Sequence, residues 1–378
     1  MPSSSVRHQS DAGTRAHTNH LIYAGPPLQR PIDPPFEQSS FGPSTRFWAS
    51  EPQGYSPEDL LAAYHISPSG GSGAIAVIDA YHYPTALNDF NSFSQQFDLP
   101  QETSSDPLAS SNQVFQVVYQ GSSAPTGNPS WNQESALDIE WAHALARHAK
   151  IYMVEANSDD VSDLFAAVAK AKTLPGVREI SMSFGTGEFK GEQTFDSLFV
   201  QSGISFFAAA GDSAGITEYP AWSPNVVGVG GTTLLLSTSQ RVVSESAWNG
   251  TGGGSSPYEP IPSYQAKIAS IVGSFRGGPD VALDGDPNTG VAVYDTTSYQ
   301  GMSGWMVIGG TSLATPCVAA IANTSERRLG SALELEHIYQ GLGRNFRDII
   351  SGGSGPFSAK VGWDFCTGVG CPLFNAGV

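Results

Sequence analysis

Four continuous apolar segments, separated by segments with helical character, constrain the fold of this chain more than any other feature of its sequence. They cover residues 74–79, 150–155, 177–184 and 204–210, and helices are predicted between them near residues 85–97, 159–173 and 192–202. Strands that are apolar along their whole length belong to sheets covered on both faces. We therefore predict an α/β fold, with a mostly parallel, doubly wound sheet and helices on both faces.

The segments outside this alternation divide the chain. Residues 1–50 are rich in Ser, Pro, Gln and His and have no apolar period, so we predict an arm that is extended or lies over the surface. A helix is predicted to begin after Ser56, with Pro57 at its first position. Residues 230–305 are rich in Gly, Ser, Pro and Tyr and predict loops and hairpins. We interpret the 378 residues as an arm, 1–50, followed by one large domain, 51–378.

Charge and composition exclude several classes of function. With 18 basic and 35 acidic residues the formal net charge is −17, which repels phosphate backbones and anionic membrane surfaces. No apolar run reaches the roughly 20 residues of a membrane-spanning helix, and the first part of the chain lacks the apolar segment of a secretory signal. We expect no nucleic-acid or membrane partner, and a monomer. Three cysteines form no disulfide framework or zinc motif, although a bridge between Cys366 and Cys371 stays open.

The most informative segment for chemistry is residues 131–147, a predicted helix. At ~100° per residue, Glu134 and Asp138 share one side of this helix with Trp141 and Leu145. The opposite side carries a polar stripe formed by Glu140, His143 and Arg147. Two acids one turn apart on an inward face lose solvation and resist ionising together, so we expect the pair to share a proton. The alternative is a capping acid followed by a solvent-facing Asp138.

Two other segments supply candidate polar groups. Ser312, at the predicted start of a helix of small residues, would place its hydroxyl near free amide donors and the positive end of the helix dipole, which suits a nucleophile. Asp212 follows the apolar run 204–210 and would emerge at the carboxyl edge of the sheet. A protonated carboxyl there could donate a hydrogen bond to a developing oxyanion. The alternatives are a serine that only caps the helix and an aspartate that only forms a turn.

A serine nucleophile also needs a base, and histidine is the usual one. None of the eight histidines lies in a sequence such as His-Gly-Thr-His, His143 lies on the polar stripe, and three others lie in the arm. We therefore disfavour a Ser-His-Asp triad, including that of a histidine-dependent subtilisin. The pair formed by Glu134 and Asp138 is the better candidate for the base.

In this order, these residues resemble the sedolisin family, the serine-carboxyl peptidases with a subtilisin-like fold. Residues 134–138 (ESALD) resemble the E-x-x-x-D pair of the family, 208–213 (AAAGDS) its oxyanion segment, and 309–312 (GGTS) its nucleophile motif. Further landmarks resemble the family at residues 219–221, 229–232, 247–249, 252–255 and 279–281. The resemblance runs from about Tyr55 to Pro372.

The resemblance implies an acid endopeptidase that forms an acyl-enzyme on Ser312. Glu134 would take the proton of the serine and later protonate the leaving amine, while Asp138 would hold Glu134 and share its proton. The carboxyl of Asp212 and the backbone amide of Ser312 would stabilise the oxyanion, and because Asp212 donates only when protonated, we expect activity at acid pH. A polypeptide substrate would lie extended and add a strand against Ser183, Phe184 and Gly185.

The C-terminal residues 345–349 and 362–364 resemble the calcium site of the family. The resemblance implies one bound Ca²⁺, with Asp348 and Asp364 as side-chain ligands. Carbonyl ligands would come from Ile349, Lys360 and Gly362. Such a set of hard oxygen atoms suits this ion. The alternative is a pair of aspartates that only form turns.

The sequence also departs from the family pattern. Phe184 stands where Trp is common, Lys360 lies in a stretch that is Gly-Pro-Gly in the family, and Asp79 lies where an auxiliary acid would extend the carboxylate network. Family members usually carry a signal and a long prosegment, so the polar first fifty residues suggest either a trimmed chain or a leaderless member. A leaderless member leaves an alternative open: a non-proteolytic protein that binds or transforms a small molecule in the same cleft.

Overall fold

A mostly parallel sheet of eight strands forms the centre of the fold. The computed structural model describes residues 9–23, 52–325 and 327–378. In sheet order the strands are β11 (Val242–Ala247), β10 (Val227–Leu236), β8 (Ser205–Ala209), β6 (Val177–Met182), β3 (Ala74–Ala80), β5 (Lys150–Ala156) and β4 (Phe115–Tyr119), with β14 (Val281–Asp284) beside β10. These neighbours pair in parallel, except β10 and β11, which are antiparallel. The predicted fold class is confirmed.

Shorter strands form small antiparallel sheets around this centre. They are β1 (His17–Thr18), β2 (Leu21–Ile22), β7 (Phe184–Gly187), β9 (Glu218–Tyr219), β12 (Gly254–Pro260), β13 (Phe275–Gly278), β15 (Val291–Tyr299), β16 (Met302–Gly309), β17 (Phe346–Arg347), β18 (Gly353–Ser354), β19 (Phe357–Ser358) and β20 (Cys371–Pro372). One of these sheets has the order β1-β7-β9, and another has the order β15-β16-β2. One edge strand of each of these two sheets, β1 and β2, therefore comes from the predicted arm.

Helices cover the sheet and connect its strands. The α-helices are α1 (Pro57–Tyr64), α2 (Ala86–Gln96), α3 (Pro129–Leu145), α4 (Val161–Ala171), α5 (Ala269–Val272), α6 (Thr311–Asn323) and α7 (Ser331–Gln340). Short 3-10 helices span Gln9–Asp11, Glu192–Phe199, Ser263–Ile268, Pro287–Thr289 and Phe374–Ala376. Among the helices of the described residues, none has the length and apolar character needed to cross a membrane.

Apolar side chains cover both faces of the sheet. Along β3, Ile75 and Val77 belong to one core, and Ala76 and Ile78 belong to the other. The first core includes side chains from α2, α3 and α6, and the second includes side chains from α4 and the 3-10 helix Glu192–Phe199. Burying a branched side chain on either face contributes about 1.5–3 kcal/mol to folding. This alternation explains why most positions in these strands are apolar in the sequence.

The starts of two helices follow from local sequence. At α1, the Ser56 side chain accepts a hydrogen bond from the backbone N–H of Asp59, and the Asp59 carboxylate accepts one from the backbone N–H of Ser56. This capping box confirms the predicted start after Ser56. At α3, the Asn128 side chain accepts from the backbone N–H of Ser130, and Pro129 occupies the first turn.

Several predicted elements differ from the structure. The strand predicted over residues 177–184 ends at Met182, and after Ser183 the chain leaves the central sheet to form β7. The helix predicted near 192–202 is a 3-10 helix, Glu192–Phe199. The region 230–305 contains more strand than predicted, including the long hairpin β15–β16. Its Gly and Pro residues mark the turns between these strands, which local propensity alone does not separate from loops.

Part of the predicted arm is buried in the molecule. Residues 9–23 are described, and the rest of the predicted arm lies outside the described residues. Ala16 to His20 are all buried, which contradicts a segment laid over the surface. β1 pairs with β7 and β2 pairs with β16, so the extended conformation is present. The boundary between arm and domain stays a prediction.

Candidate active site

The four predicted catalytic residues come from three parts of the chain that meet at the carboxyl edge of the sheet. Glu134 and Asp138 lie one turn apart on α3, Ser312 lies in the first turn of α6, and Asp212 follows β8. Helices α3 and α6 pack against each other. The side chains of Glu134, Asp138 and Ser312 are fully buried. Asp212 is partly exposed as a residue, but its Oδ2 atom is enclosed.

The predicted base belongs to a cluster of three buried carboxyl groups, those of Asp79, Glu134 and Asp138. Burial raises the pKa of Asp138 well above its usual range, and the charges of Asp79 and Glu134 raise it further. The pKa of Asp79 is also raised well above its usual range, first by burial and then by the charge of Glu134. The hydroxyl of Ser135 lowers the pKa of Asp79 and that of Ser183 lowers the pKa of Asp138, but burial outweighs both effects. Carboxyl groups packed this closely resist ionising together, so the cluster favours the sharing of protons among the three groups.

One carboxyl oxygen of Asp212 accepts hydrogen bonds from Thr311, and the other has no hydrogen-bond partner among the described residues. The backbone N–H and the hydroxyl of Thr311 both donate to its Oδ1, each at 2.8 Å. Its Oδ2 is buried without a partner in the described residues. Burial raises the pKa of Asp212 well above its usual range, although the two bonds from Thr311 lower it. A protonated Oδ2 would therefore be a fixed donor with no competing partner.

Ser312 is joined to Ser183 by a reciprocal pair of hydrogen bonds. The Ser312 hydroxyl donates to the Ser183 carbonyl at 3.1 Å, and the Ser183 hydroxyl donates to the Ser312 carbonyl at 3.3 Å. Pro316 lies four residues after Ser312 inside α6 and has no N–H for that carbonyl, so the Ser183 hydroxyl supplies the missing donor. In this arrangement the Ser312 hydroxyl points to Ser183 and not to Glu134.

Gly310 allows the close approach of the chain at this point. Its φ is +109°, and a side chain there would begin 2.2 Å from the Asn19 carbonyl oxygen and 2.7 Å from Asp212 Oδ2. Any larger residue would collide with both groups. The glycine of the GGTS segment therefore leaves room for a carbonyl group next to Asp212 and Ser312.

The predicted substrate edge is occupied by the chain itself. Phe184 pairs with Thr18 and Gly185 pairs with His17, in the antiparallel sense, so β1 adds a strand to β7. Phe184 is buried, and the Ser183 side chain faces Ser312. The position predicted for an extended peptide therefore holds one, and that peptide is residues 17–18.

Three residues around this site were missed by the sequence analysis. Glu218 is fully buried, and its carboxylate lies 3.1 Å from His17 Nε2. His20 Nδ1 lies 2.7 Å from Glu134 Oε2, and Thr311 holds Asp212 as described above. Glu218 directly precedes residues 219–221, which resemble a family landmark, and this proximity was the one available signal. No local pattern marks His20, because its partner lies 114 positions away in the chain.

The polar stripe of α3 is buried as well. Glu140 accepts a hydrogen bond from the backbone N–H of Tyr294 at 3.0 Å, and His143 Nε2 lies 2.8 Å from the Pro100 carbonyl. Burial lowers the pKa of His143 to about 4. The helix is enclosed on both sides because α2 and β15 also pack on it. The described contacts of His143 are with Pro100 and Phe90, which agrees with its exclusion as the base for the serine.

The residues predicted to hold calcium converge on one loop. Asp364 accepts hydrogen bonds from the backbone N–H groups of Lys360, Cys366 and Thr367. Asp348 accepts one from the backbone N–H of Gly362 at 2.9 Å, and Ile349 is buried beside it. In the described ranges, no three His, Cys, Asp or Glu side chains form a metal-binding group. A metal here would therefore depend on two carboxylates and on backbone carbonyls, and calcium binding stays a prediction.

The bridge between Cys366 and Cys371 is absent. Both are free thiols and both are buried, as is Cys317. Cys371 Sγ lies 3.3 Å from Glu245 Oε1, so it has a hydrogen-bond partner of its own. The two cysteines are thus separate parts of the core.

A family model and several known proteins match this chain. A family model described as "Subtilase family" matches residues 121–331. The chain is 32% identical to kumamolisin of Bacillus sp. (strain MN-32) over 87% of its own length and 64% of that protein. It is 28% identical to sedolisin of Pseudomonas sp. (strain 101), over 85% of its own length and 60% of that protein. The chain thus spans about six tenths of the length of these curated relatives.

A solved structure shows the same fold. It is Pseudomonas sedolisin, a serine-carboxyl proteinase, in complex with two molecules of pseudo-iodotyrostatin. The TM-score is 0.72 with 23% identity, over 86% of this chain and 97% of that one. At this identity the match concerns the fold alone.

Proposed function

The chain belongs to the sedolisin family, within the wider subtilase family, and from this membership we propose that it is a serine-carboxyl endopeptidase that hydrolyses peptide bonds at acid pH. The observation that carries the proposal is the buried carboxyl cluster of Asp79, Glu134 and Asp138 on the same edge as Ser312 and Asp212. Burying a group of acids that share protons costs free energy. Acids with raised pKa values beside a nucleophile are typical of catalytic sites, where one of them acts as the base.

The proposed reaction gives each residue a distinct role. Ser312 attacks the carbonyl carbon of the peptide, and Glu134 takes the proton of its hydroxyl. Asp138 shares the proton of Glu134 and holds it in place. Glu134 then protonates the amine that leaves. Water next attacks the acyl carbon, Glu134 takes a proton from this water and gives it to the Ser312 oxygen, and the acyl group is released as a carboxylic acid. For the attack, the Ser312 hydroxyl must turn from the Ser183 carbonyl toward Glu134.

The oxyanion would be stabilised by two donors. One is the backbone N–H of Ser312, and the other is a protonated Asp212 carboxyl through its free Oδ2. Because burial raises the pKa of Asp212, its carboxyl stays protonated to a higher pH than an exposed aspartate. The activity should therefore be present at acid pH and disappear as the pH rises through the pKa of Asp212.

The test is cleavage of a denatured protein at acid pH by the full chain and by two variants. Ser312→Ala and Glu134→Gln should each abolish cleavage and leave thermal unfolding nearly unchanged, because one lacks the nucleophile and the other lacks the base. Ser270→Ala and Glu336→Gln change exposed residues and serve as matched controls. Cleavage that survives in either site variant removes that residue from the mechanism. If the full chain neither cleaves protein nor forms an adduct with a peptide aldehyde, the non-proteolytic alternative replaces the peptidase.

We also propose one calcium site in the C-terminal loop. The ligands would be the carboxylates of Asp348 and Asp364 and the carbonyls of Ile349, Lys360 and Gly362. The support is that both carboxylates are bonded to the 360–362 segment, which brings hard oxygen atoms together. Bound calcium would neutralise the two carboxylates and hold the loop. Chelation should lower the melting temperature of the full chain and leave that of an Asp364→Asn variant unchanged; equal melting temperatures with and without chelator would favour plain turn aspartates.

A further inference from the structure

A further buried acid lies next to the carboxyl cluster. Strands β3 and β5 pair in parallel, and Asp79 is the register partner of Glu155. Because side chains of paired residues project to the same face of a sheet, both carboxyl groups face the core on which α3 packs. Glu155 is fully buried, as Asp79 is. The acids of the proposed active site therefore continue into a fourth carboxyl group, which no proposed step uses.

Both carboxyl oxygens of Glu155 contact polar groups of the segment that follows β3. His82 Nδ1 lies 2.8 Å from its Oε2, and the backbone N–H of Tyr83 donates to its Oε1 at 3.1 Å. Asp79 is held differently. In the described part of the chain, the group that lowers the pKa of Asp79 is the hydroxyl of Ser135. Glu155 thus has donors on both oxygens, including one from a side chain that can carry a positive charge.

These partners make the two acids differ in their tendency to ionise. Burial raises the pKa of Glu155, but the hydrogen bonds from His82 and from the Tyr83 N–H, and the charge of His82, lower it. The pKa of Asp79 is raised well above its usual range by burial, then by the charge of Glu134, and further by the charge of Glu155. Two neighbouring acids in such different surroundings divide into one that keeps its proton and one that carries the charge. Glu155 is the charged member of this pair.

His82 connects this charge to the surface of the molecule. Its side chain is 25% exposed, whereas that of Glu155 is fully buried. The imidazole packs edge-on against the ring of Tyr119 on β4, with ring centroids 5.7 Å apart, and Tyr119 is the register partner of Glu155 on that side. Burial and then the charge of Glu155 raise the pKa of Tyr119, so its hydroxyl stays neutral. Glu155 is therefore flanked by a neutral phenol on β4 and by Asp79 on β3, and its positive partner is His82.

We propose that Glu155 and His82 are positioning residues of the active site: His82 holds Glu155 ionised, and the charge of Glu155 keeps the proton on Asp79. A neutral Asp79 leaves Glu134 able to ionise, as a base must, because neighbouring carboxylates resist a further charge. The inference rests on the proposed peptidase function for the role of Glu134. The order in which Glu155 and Asp79 ionise can be measured without catalysis.

The first experiment follows the two carboxyl carbons in the unaltered chain. The side-chain carboxyl groups of Asp and Glu are labelled with ¹³C, and the resonances of Asp79 and Glu155 are assigned through their own backbone amides. Their chemical shifts are then recorded by NMR as a function of pH. Glu155 should lose its proton at a lower pH than Asp79, because it has the donors and the positive partner. An Asp79 that ionises before Glu155, or together with it, contradicts the inference.

Two variants test the pair by the same measurement. In Glu155→Gln, which keeps the size of the side chain, Asp79 should titrate at a lower pH because a neighbouring negative charge is gone. In His82→Leu, Glu155 should titrate at a higher pH because it has lost a donor and a positive charge. Glu336→Gln and His148→Leu change exposed residues and are the matched controls, with no expected shift. An unchanged titration of Asp79 in the first variant, or of Glu155 in the second, contradicts the inference.

The pH profile of cleavage separates this inference from the proposed function. In Glu155→Gln, kcat/KM for a peptide should fall off at a lower pH than in the unaltered chain or in Glu336→Gln, because Asp79 gains its charge before Asp212 loses its proton. If the carboxyl titrations are as expected and no chain cleaves peptide, the charged pair stands and the peptidase proposal falls. If all chains cleave with one pH profile, the peptidase stands and the role of Glu155 in the reaction falls.

Discussion

The carboxyl groups of Asp79, Glu134 and Asp138 lie in one buried cluster beside Ser183 and Ser312. Each of these residue types is ordinarily ionised and solvated, and burial is the largest cause of the raised pKa of both Asp79 and Asp138. At the scale of single residues, the environment thus determines which acid holds a proton and which accepts one. The same holds for Asp212, which keeps one free oxygen because Thr311 satisfies the other.

Replacing Asp138 with Asn tests the shared proton. The amide keeps the size of the side chain but accepts no proton from Glu134, so kcat/KM for peptide cleavage at acid pH should fall by about 100-fold or more. Thermal unfolding should show that the fold persists. The matched control is Asp98→Asn at an exposed position, which should leave kcat/KM unchanged. An Asp138→Asn variant as active as the control would exclude Asp138 from the base.

Replacing Asp212 with Asn tests the protonated oxyanion donor. An amide nitrogen donates at every pH, whereas the carboxyl of Asp212 donates only below its raised pKa. The variant should therefore have a lower kcat/KM than the unaltered chain at acid pH. The activity that remains should persist to a higher pH than in the unaltered chain. The measurement is kcat/KM across the acid and neutral range. If the alkaline side of the profile keeps its position, another group controls it.

At the scale of elements, local sequence signals account for the starts of helices and for the buried strands. The four apolar runs became strands of the central sheet, and Ser56 capped α1 as predicted. The arrangement of residues 134 and 138 on α3 was predictable from helical spacing alone. That α3 is enclosed on its other side as well was not, because this depends on the positions of α2 and β15.

The path of residues 16–22 was the least predictable feature. This polar stretch shows no alternation of apolar and polar residues that would predict a strand. It forms strands because it pairs with the edges of β7 and β16, which lie more than 150 positions away in the chain. The contact between His20 and Glu134 is likewise long-range. Such pairing is set by the assembled cleft, so a sequence analysis limited to local windows assigned the segment to the surface.

Replacing Ser56 with Ala tests the capping box of α1. The variant loses both the side-chain acceptor for Asp59 N–H and the hydroxyl bond to the Asp59 carboxylate. The free energy of unfolding should fall by about 1 kcal/mol in denaturant titration, with peptide cleavage unchanged. Ser69→Ala, an exposed serine outside any helix start, is the control. Equal stability of the two variants would show that the cap contributes nothing.

At the scale of the whole molecule, buried carboxyl groups should make the folded state more stable at acid pH than at alkaline pH. Burial raises the pKa of Glu179 and Glu259 to about 8, of Glu192 to about 9, and of Asp295 and Glu334 to about 7. A carboxyl with a raised folded-state pKa contributes stability that is complete below its unfolded pKa and is lost as pH rises through the folded pKa. His143 opposes this trend on the acid side, since burial lowers its pKa to about 4.

Melting temperature against pH tests this preference. It should be highest at about pH 4 to 5 and should fall as the pH rises from about 5 to about 9, because these carboxyls ionise in the unfolded chain first and in the folded chain only at the raised pKa. Glu179→Gln removes one such group and should make the decline shallower, whereas Glu336→Gln at an exposed site should not. A melting temperature that rises toward alkaline pH would contradict this account.

The account as a whole depends on Ser312 being a nucleophile inside an acidic cleft, and covalent trapping tests this most directly. A peptide aldehyde labelled with ¹³C at its reactive carbon is added at acid pH to the full chain and to its Ser312→Ala variant, and the carbon is followed by NMR. We predict a hemiacetal resonance in the full chain that is absent from Ser312→Ala. A spectrum with only free aldehyde in every chain, or a hemiacetal that persists after Ser312→Ala, would contradict the central claim.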